Sequence, residues 1–236
     1  NYNKYFGVPH FAGREYYGGH YSTNNNNHYD FFSAGGLDFV VLYCEYNTNP
    51  PVELLAWANE VLATNAWRRA IVVTHNMGNT ETPVTFSAQG AILYNALKGN
   101  TSLFLMLGGH VTGQGARQDT YEGRTVRTFV QDYQGWTNGG CGFMRTCEFS
   151  PSNNVVVVRT FSPVTGEYLT DEYSELYFPY DMQPTGAGTA TPFVALATNL
   201  AVTPGAVSTC VWSALHTNKA YEWYVTVTDP SGATVA

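Results

Sequence analysis

Two histidines follow apolar segments of this sequence, at positions where they could bind a metal ion. His75 closes the run Ala-Ile-Val-Val-Thr, and His110 follows the apolar run 103–107 through Gly108 and Gly109. In α/β sheets, ligand sites gather at the carboxyl ends of the strands, and imidazole is a common ligand of transition metals. The glycines allow a sharp turn that brings His110 close to a bound group. The pair is therefore a candidate metal site.

Each histidine alone has an equally good structural interpretation. A histidine at a strand end can simply form a hydrogen bond to a loop carbonyl. Two imidazoles on adjacent strand ends of one α/β sheet favour a metal. Two histidines still do not complete a hydrolytic site, because such a site needs three or four ligands and an open position for water.

The segments that would position these histidines alternate between strand and helix. Nearly continuous apolar runs at 37–43, 70–75 and 103–107 are typical of strands buried on both faces. A first helix is predicted after Pro50 and Pro51, with apolar residues at helical spacing. A second helix is predicted between a capping Ser87 and a terminating Gly99. This alternation is the α/β signature.

The regions on either side of this α/β segment differ from it. The Glu122-Gly123 turn lies between alternating runs and predicts a hairpin over 120–132, and 143–149 and 155–161 predict a second strand pair. We expect these antiparallel strands to finish the sheet, up to about residue 182. The residues before about position 30 are rich in Gly, Asn and Tyr, and predict irregular structure and a hairpin.

The sequence predicts a linker at 183–192, because Pro, Gly, Thr and Ala dominate it. The region 193–236 then has an all-β pattern. Leu215, Asn218 and Tyr221 fall where the tyrosine corner of a fibronectin type III domain places its residues, and Trp223 and Val225 continue the strand. The segment therefore resembles such a domain. Roughly 44 residues are too few for a sandwich of about 100, so we expect a partial domain whose strand edges favour self-assembly or pairing with a partner.

Composition narrows the classes of function. The chain of 236 residues has a formal net charge of −7 and only 11 Lys+Arg, without a basic cluster. A nucleic-acid-binding patch is therefore not expected, and no apolar run approaches the roughly 20 residues of a membrane span. The sequence opens directly with Asn-Tyr-Asn-Lys, so we expect the targeting segment of an exported protein to have been removed or to lie outside this sequence. Charged residues make up 12% of the chain, with 17 Tyr and 23 Gly, and such a neutral polar and aromatic surface favours an extracellular or cell-surface location.

The four cysteines, Cys44, Cys141, Cys147 and Cys210, are too few for a disulfide scaffold. Cys44 lies in a strand-like run and is expected to be a buried, inert thiol. Cys141 and Cys147 lie close enough in sequence for a local bridge. No pair with metal-binding CxxC spacing is present.

The two histidine segments are similar to known metal-binding motifs. Residues 72–76 read Val-Val-Thr-His-Asn, and residues 107–113 read Leu-Gly-Gly-His-Val-Thr-Gly. With the helix and strand between them, they resemble the third and last metal motifs of calcineurin-like metallophosphoesterases. The resemblance covers about 1–182, including Asn-Lys-Tyr-Phe-Gly near the start, and is strongest in a bacterial secreted subgroup. It implies an α/β (α+β) fold, a mixed β-sheet sandwich with flanking helices that is half present here, followed by the small immunoglobulin-like segment.

The resemblance also implies a chemistry. A complete site of this family holds two divalent metal ions of the Fe, Mn or Zn type, bridged by an aspartate and a hydroxide, and hydrolyses a phosphate ester. By matched position, His75 and His110 would both bind one metal. Asn76 and Arg117 lie close to them in sequence and are candidate contacts to the substrate phosphate. A loop cap for Asn76 and a surface salt bridge for Arg117 are the alternatives.

The sequence departs from the family pattern in two places. Position 112 is Thr, where the family has the second histidine of Gly-His-x-His. The Asp-x-His, Gly-Asp and Gly-Asn-His-Asp motifs have no counterpart, since the early histidines His10, His20 and His28 lie in Gly/Asn-rich segments that we expect to be loops. The first hypothesis is therefore a part of a secreted phosphoesterase that is not competent alone. The second is a non-catalytic extracellular structural or assembly protein on the same scaffold, and a weaker third is glycan binding through Tyr and Trp.

Overall fold

The computed structural model describes residues 2–182, 196–199, 201–203, 206–211, 225, 227–228 and 234–235. By its internal contacts the chain divides into two compact units, Asn1–Ala187 and Gly188–Ala236. Among the helices in the described ranges, none has the length and apolar character needed to cross a membrane.

The first unit contains short helices, a central α/β segment and several antiparallel strands. Its elements in chain order are α1 (Tyr2–Phe6), α2 (Val8–Phe11), β1 (Tyr17–His20), β2 (His28–Ala34), β3 (Leu37–Cys44), α3 (Val52–Thr64), β4 (Arg69–Thr74), α4 (Ala88–Leu97), β5 (Leu103–Gly108), β6 (Gly113–Tyr121), β7 (Arg124–Asp132), a single distorted turn α5 (Thr137–Gly140), β8 (Met144–Ser150), β9 (Val155–Phe161), β10 (Tyr168–Leu169) and β11 (Leu176–Pro179). The predicted strands and helices of the central segment are confirmed.

Seven strands form one mixed sheet in the order β1-β2-β3-β4-β5-β7-β6. β3, β4, β5 and β7 are parallel neighbours, and β6 is antiparallel to β7. β1 and β2 extend the other side of the sheet as an antiparallel pair. The predicted α/β class with a mixed sheet is confirmed. The parallel strands bring the carboxyl ends of β3, β4, β5 and β7 to one edge.

Two helices cover one face of this sheet. α3 buries Leu54, Ala58, Val61 and Leu62, which recur at helical spacing. α4 begins as predicted, because Ser87 Oγ accepts a hydrogen bond from the backbone N–H of Gly90 at 3.0 Å. The helices enclose a core with alternate residues of the central strands, including Val40, Leu42, Val72 and Met106, each 0% exposed.

A second sheet covers part of the opposite face. β9 pairs with β8 along its whole length on one side, and with β11 and then β10 on the other. This corrects the expectation that these strands finish the first sheet. Val156 and Val158 alternate along β9 and are fully buried against Phe39, Phe104 and neighbouring apolar residues of the first sheet. An apolar face of period two must be covered, so the strands form a second layer of the predicted sandwich.

The start of the chain is more regular than its composition predicts. α1 and α2 are short helices where irregular structure was expected, and Pro9 in the first turn of α2 has no N–H that the helix would need to satisfy. The predicted hairpin is present as β1 and β2. His20 and His28 therefore lie on strands and not in loops.

The second unit is described only in short pieces. β12 (Val227–Thr228) and β13 (Thr234–Val235) pair antiparallel, and Asn199 Nδ2 donates to Ser208 Oγ at 2.6 Å. The predicted linker 183–192 and the tyrosine-corner residues Leu215, Asn218 and Tyr221 lie outside the described residues, as does Trp223. The partial fibronectin-like domain at 193–236 stays a prediction.

Candidate metal centre

The fold brings the two predicted histidines into direct contact. His75 follows the last residue of β4, and His110 lies two residues after β5, its parallel neighbour. His75 Nε2 lies 3.0 Å from His110 Nδ1, and the ring centroids are 4.7 Å apart. Both side chains are exposed at the carboxyl edge of the sheet. At this distance the two imidazoles are hydrogen-bonded, with one ring nitrogen carrying the proton and the other accepting it, at a place that solvent can reach.

His110 has an unusual backbone conformation. Its φ is +74°, and the N–H of Val111 donates to the carbonyl of Gly109 at 2.9 Å. These are marks of a γ-turn of the rare, strained kind, centred on His110. The N–H of Gly109 also donates to the carbonyl of His75 at 2.9 Å, which fixes one loop to the other. Backbone strain of this kind clusters at functional sites.

The spacing of the two nitrogens fits a shared metal ion. With bonds of 2.0–2.1 Å, two imidazole nitrogens on one tetrahedral metal lie about 3.3 Å apart. Both nitrogens must then be free of protons. Within the described part of the chain, no group of three or more His, Cys, Asp or Glu side chains is arranged to hold a metal. His75 and His110 thus fit as two ligands of a site that requires at least one more.

Three buried oxygens beside the pair have no hydrogen-bond partner among the described residues. They are Thr74 Oγ1, Asn76 Oδ1 and Gln131 Oε1. Thr74 and Asn76 flank His75 in sequence, and Gln131 follows Val130, the register partner of Gly108. Buried polar atoms are nearly always paired in folded proteins, so these three oxygens are exceptions at this edge of the sheet.

The two predicted phosphate contacts are in different places. Asn76 lies beside His75, and its backbone carbonyl accepts from Ser87 Oγ at 2.8 Å, which ties the loop to α4. Arg117 lies in the middle of β6, two strands from β5, or about 10 Å at the usual strand spacing. Its guanidinium pairs with both oxygens of Asp119 at 2.6 and 2.7 Å and donates to the carbonyl of Val84. Arg117 thus forms the salt bridge given above as its alternative, and its contact to a substrate phosphate stays a prediction.

Tyr46 belongs to this site although its sequence pattern did not single it out. Its ring centroid lies 5.7 Å from that of His75, edge-on at 81°, and 6.0 Å from that of His110. It follows β3 by two residues, at the same edge of the sheet. Its position just after a buried parallel strand is the sequence feature from which its place at this edge could have been predicted. Tyr46 forms an aromatic wall beside the two imidazoles.

A run of asparagines closes the same edge. Asn26 Nδ2 and Asn27 Nδ2 each donate to one carboxylate oxygen of Glu45 at 2.8 Å. The backbone N–H of Glu45 donates in return to Asn27 Oδ1 at 3.0 Å. Glu45 follows β3, so these bonds hold the turn between β1 and β2 against the carboxyl end of β3. The asparagine run therefore connects the β1–β2 turn to the end of β3 through specific hydrogen bonds.

His20 and His28 form a second polar cluster on the sheet. They are register partners between β1 and β2. Tyr17 Oη lies 3.0 Å from His20 Nδ1 and donates to Asn25 Oδ1 at 2.6 Å. His28 Nδ1 lies 2.9 Å from the carbonyl of Asn25, and burial lowers the pKa of His28. Both histidines have defined partners within the hairpin, so their role in the fold is structural.

Asp30 lies two residues beyond His28 on the same strand. One of its carboxylate oxygens is buried and has no hydrogen-bond partner in the described part of the chain. Burial raises the pKa of Asp30, and the nearby His28 partly offsets this. The charged form is therefore less favourable in the folded chain than in the unfolded one.

Replacing Asp30 with asparagine should stabilise the protein at neutral pH. A raised folded pKa favours folding below the ordinary value of about 3.9, and this contribution is lost as the pH rises through the folded pKa. We expect Asp30→Asn to gain less than about 1 kcal/mol at pH 7, since the group is partly exposed and solvent screens the charge, and nothing at pH 3. Urea unfolding of both proteins from pH 3 to 7 measures the difference. A constant difference across this range would contradict the prediction.

No known family model matches the chain. The chain is similar to an uncharacterised protein, YvnB, of Bacillus subtilis (strain 168). The two are 29% identical over 252 aligned positions, which include 97% of this chain and 19% of YvnB. The chain therefore spans about a fifth of the length of this curated relative.

Two solved structures show distant likenesses. One is GAP50, the anchor in the inner membrane complex of Plasmodium, with a TM-score of 0.41 and 14% identity over 66% of this chain and 53% of that one. The other is the purple acid phosphatase PPD1 from yellow lupin (Lupinus luteus) seeds, with a TM-score of 0.40 and 14% identity over 75% and 37%. Likenesses at this level support no conclusion about function.

Proposed function

We propose that this chain is part of a secreted, metal-dependent phosphoesterase, and that His75 and His110 bind one of its divalent metal ions. The observation that carries the proposal is the 3.0 Å approach of His75 Nε2 to His110 Nδ1 at the carboxyl edge of the parallel strands. The resemblance of both histidine segments to phosphoesterase metal motifs supports it. The low charge and high Tyr and Gly content support the extracellular location.

Several residues of the chain would have different roles at such a metal site. His75 and His110 would hold the ion through unprotonated nitrogens, and the γ-turn at His110 fixes the direction of its ring. An ion bound there supplies Lewis-acid chemistry toward a phosphoryl oxygen. Asn76, next to His75, has an amide that could contact the phosphate. The ring of Tyr46 lies beside both imidazoles.

Thr112 favours a second candidate function, a non-catalytic extracellular structural or assembly protein. Its carbonyl accepts from Thr80 Oγ1 at 3.3 Å. Its side chain packs so tightly on Gly135 that a Cβ there would lie 2.4 Å from Thr112 Oγ1. Thr112 therefore cannot replace the histidine that binds the second metal ion in the family pattern. A scaffold that has lost its chemistry would tolerate such a residue.

The decisive experiment measures metal content and hydrolysis together. The chain, and the longest natural form that contains it, would be loaded with Mn²⁺, Zn²⁺ or Fe²⁺ and tested on 4-nitrophenyl phosphate and bis(4-nitrophenyl) phosphate. We expect the longer form to hydrolyse at least one ester and to lose the activity on chelation. A longer form that stays inactive and binds no metal would overturn the proposal and favour the scaffold function.

A further inference from the structure

We propose that the cavity beside His75 binds the flat, uncharged ring of the ester's alcohol group, such as a nucleoside or an aryl group. This rests on the proposed function, because it places the phosphate of the same substrate at the histidine pair. The cavity is a cleft that is open to solvent and has a volume of about 540 Å³, which is enough for one small organic ring. His75 lies at its wall with Glu45 and Tyr46, and Tyr2, His28 and Tyr43 line it further along the sheet.

The shape of the lining favours a flat ring. The rings of His28 and Tyr43 stack in parallel, with centroids 4.6 Å apart and planes 15° apart. They are held in place, because His28 and Tyr43 are register partners on β2 and β3 and His28 Nδ1 is bonded to the Asn25 carbonyl. Tyr46 adds a third aromatic side chain beside His75. Aromatic surfaces that are already fixed bind another ring by stacking, with little loss of entropy.

The charges of the lining favour an uncharged group. Among the described residues that line the cavity, none is Lys or Arg. Its acidic member, Glu45, is held in place by Asn26 and Asn27 and would repel a phosphate in the cavity. A phosphate is therefore expected at the histidines and the ring in the cavity.

A few polar atoms remain for the edge of such a ring. Thr74 and Asn26 line the cavity. The carbonyl of Asn25 can only accept, so His28 Nδ1 carries the proton and its Nε2 is left as an acceptor. An aromatic cavity with few polar groups is typical of a site that binds an organic ring in one orientation.

Binding of ring compounds that lack a phosphate tests this inference. Adenosine, phenol and glycerol would be titrated into the chain in the presence of a chelator, with binding followed by saturation-transfer NMR. We expect adenosine or phenol to bind and glycerol not to. Adenosine binding alone would assign the cavity to nucleosides, and binding of both to flat rings in general. Rings that bind no better than glycerol would overturn the inference.

Variants of two tyrosines locate the binding. Tyr46→Ala should weaken ring binding about tenfold, the effect of removing one stacking partner, and Tyr43→Leu should weaken it similarly. Tyr168→Ala removes an exposed tyrosine of β10 and should change nothing. Tyr46 is 52% exposed, so its variant should fold even if the Tyr43 variant does not. Unchanged binding in folded Tyr46→Ala would overturn the inference. Since neither metal nor phosphate takes part, failure here leaves the metal-site proposal untouched.

Discussion

Replacing His110 with alanine is expected to weaken the binding of one divalent ion by about 100-fold or more. Losing a residue that merely supports a metal ligand usually costs 10- to 100-fold in affinity, and His110 is proposed as a ligand itself. His75→Ala should have a similar effect, because the two nitrogens lie 3.0 Å apart and would share the ion. Isothermal titration of the longest natural form that contains the chain with Zn²⁺ and Mn²⁺, combined with elemental analysis, measures both losses.

Two further variants separate metal binding from folding. His10→Ala removes an exposed imidazole in α2 and should bind metal like the parent chain. His110→Gly removes the ligand but relieves the γ-turn, whose φ of +74° suits glycine. It should therefore lose the metal while unfolding at a slightly higher urea concentration. If His110→Ala and His110→Gly bind metal as tightly as the parent chain, these histidines do not form the site.

The central α/β segment was predictable because its local signals and its fold agree. Runs of buried apolar residues at 37–43, 70–75 and 103–107 match β3, β4 and β5 almost residue for residue. Ser87 caps α4 as its type predicts. Parallel strands with helical connections leave few alternative arrangements. The meeting of His75 and His110 at one edge follows from the order of these strands.

The remaining parts depend on contacts between residues distant in sequence. Glu45 is bonded by asparagines 18 and 19 residues earlier, and no local pattern in the Asn run announces a partner. Arg117 lies close to His110 in sequence, but the hairpin of β6 and β7 carries it two strands away and beside Asp119. The second sheet forms because β9 has one apolar face that must be covered. The alternating sequence of β9 shows this face but does not show which part of the chain packs against it. Tertiary contacts decide each of these features.

Replacing Gly108, two residues before His110, with alanine is expected to destabilise the protein strongly. Gly108 ends β5 and approaches the backbone of Met77, a fully buried residue after β4. A Cβ on Gly108 would lie 2.5 Å from Met77 Cβ and 2.7 Å from its backbone nitrogen. Gly108→Ala must therefore push β5 and the Met77 loop apart. Overpacking of a core costs about 1–3 kcal/mol, and we expect about 3 kcal/mol here because part of the obstacle is backbone. Urea unfolding measures the loss.

Gly99 provides the matched control for this substitution. It is exposed after α4, and an added Cβ there would meet nothing within 4 Å, so Gly99→Ala should unfold at the same urea concentration as the parent chain or slightly above it. Since the strand end that carries His110 must move in Gly108→Ala, that variant should also bind metal more weakly than Gly99→Ala. Equal stability of the two variants would show that β5 and the Met77 loop are not in close contact. Lower stability of Gly108→Ala with unchanged metal affinity would show that packing at Gly108 does not position His110. The γ-turn at His110 and the hydrogen bond from Gly109 to His75 would then be enough to hold the ring in its orientation.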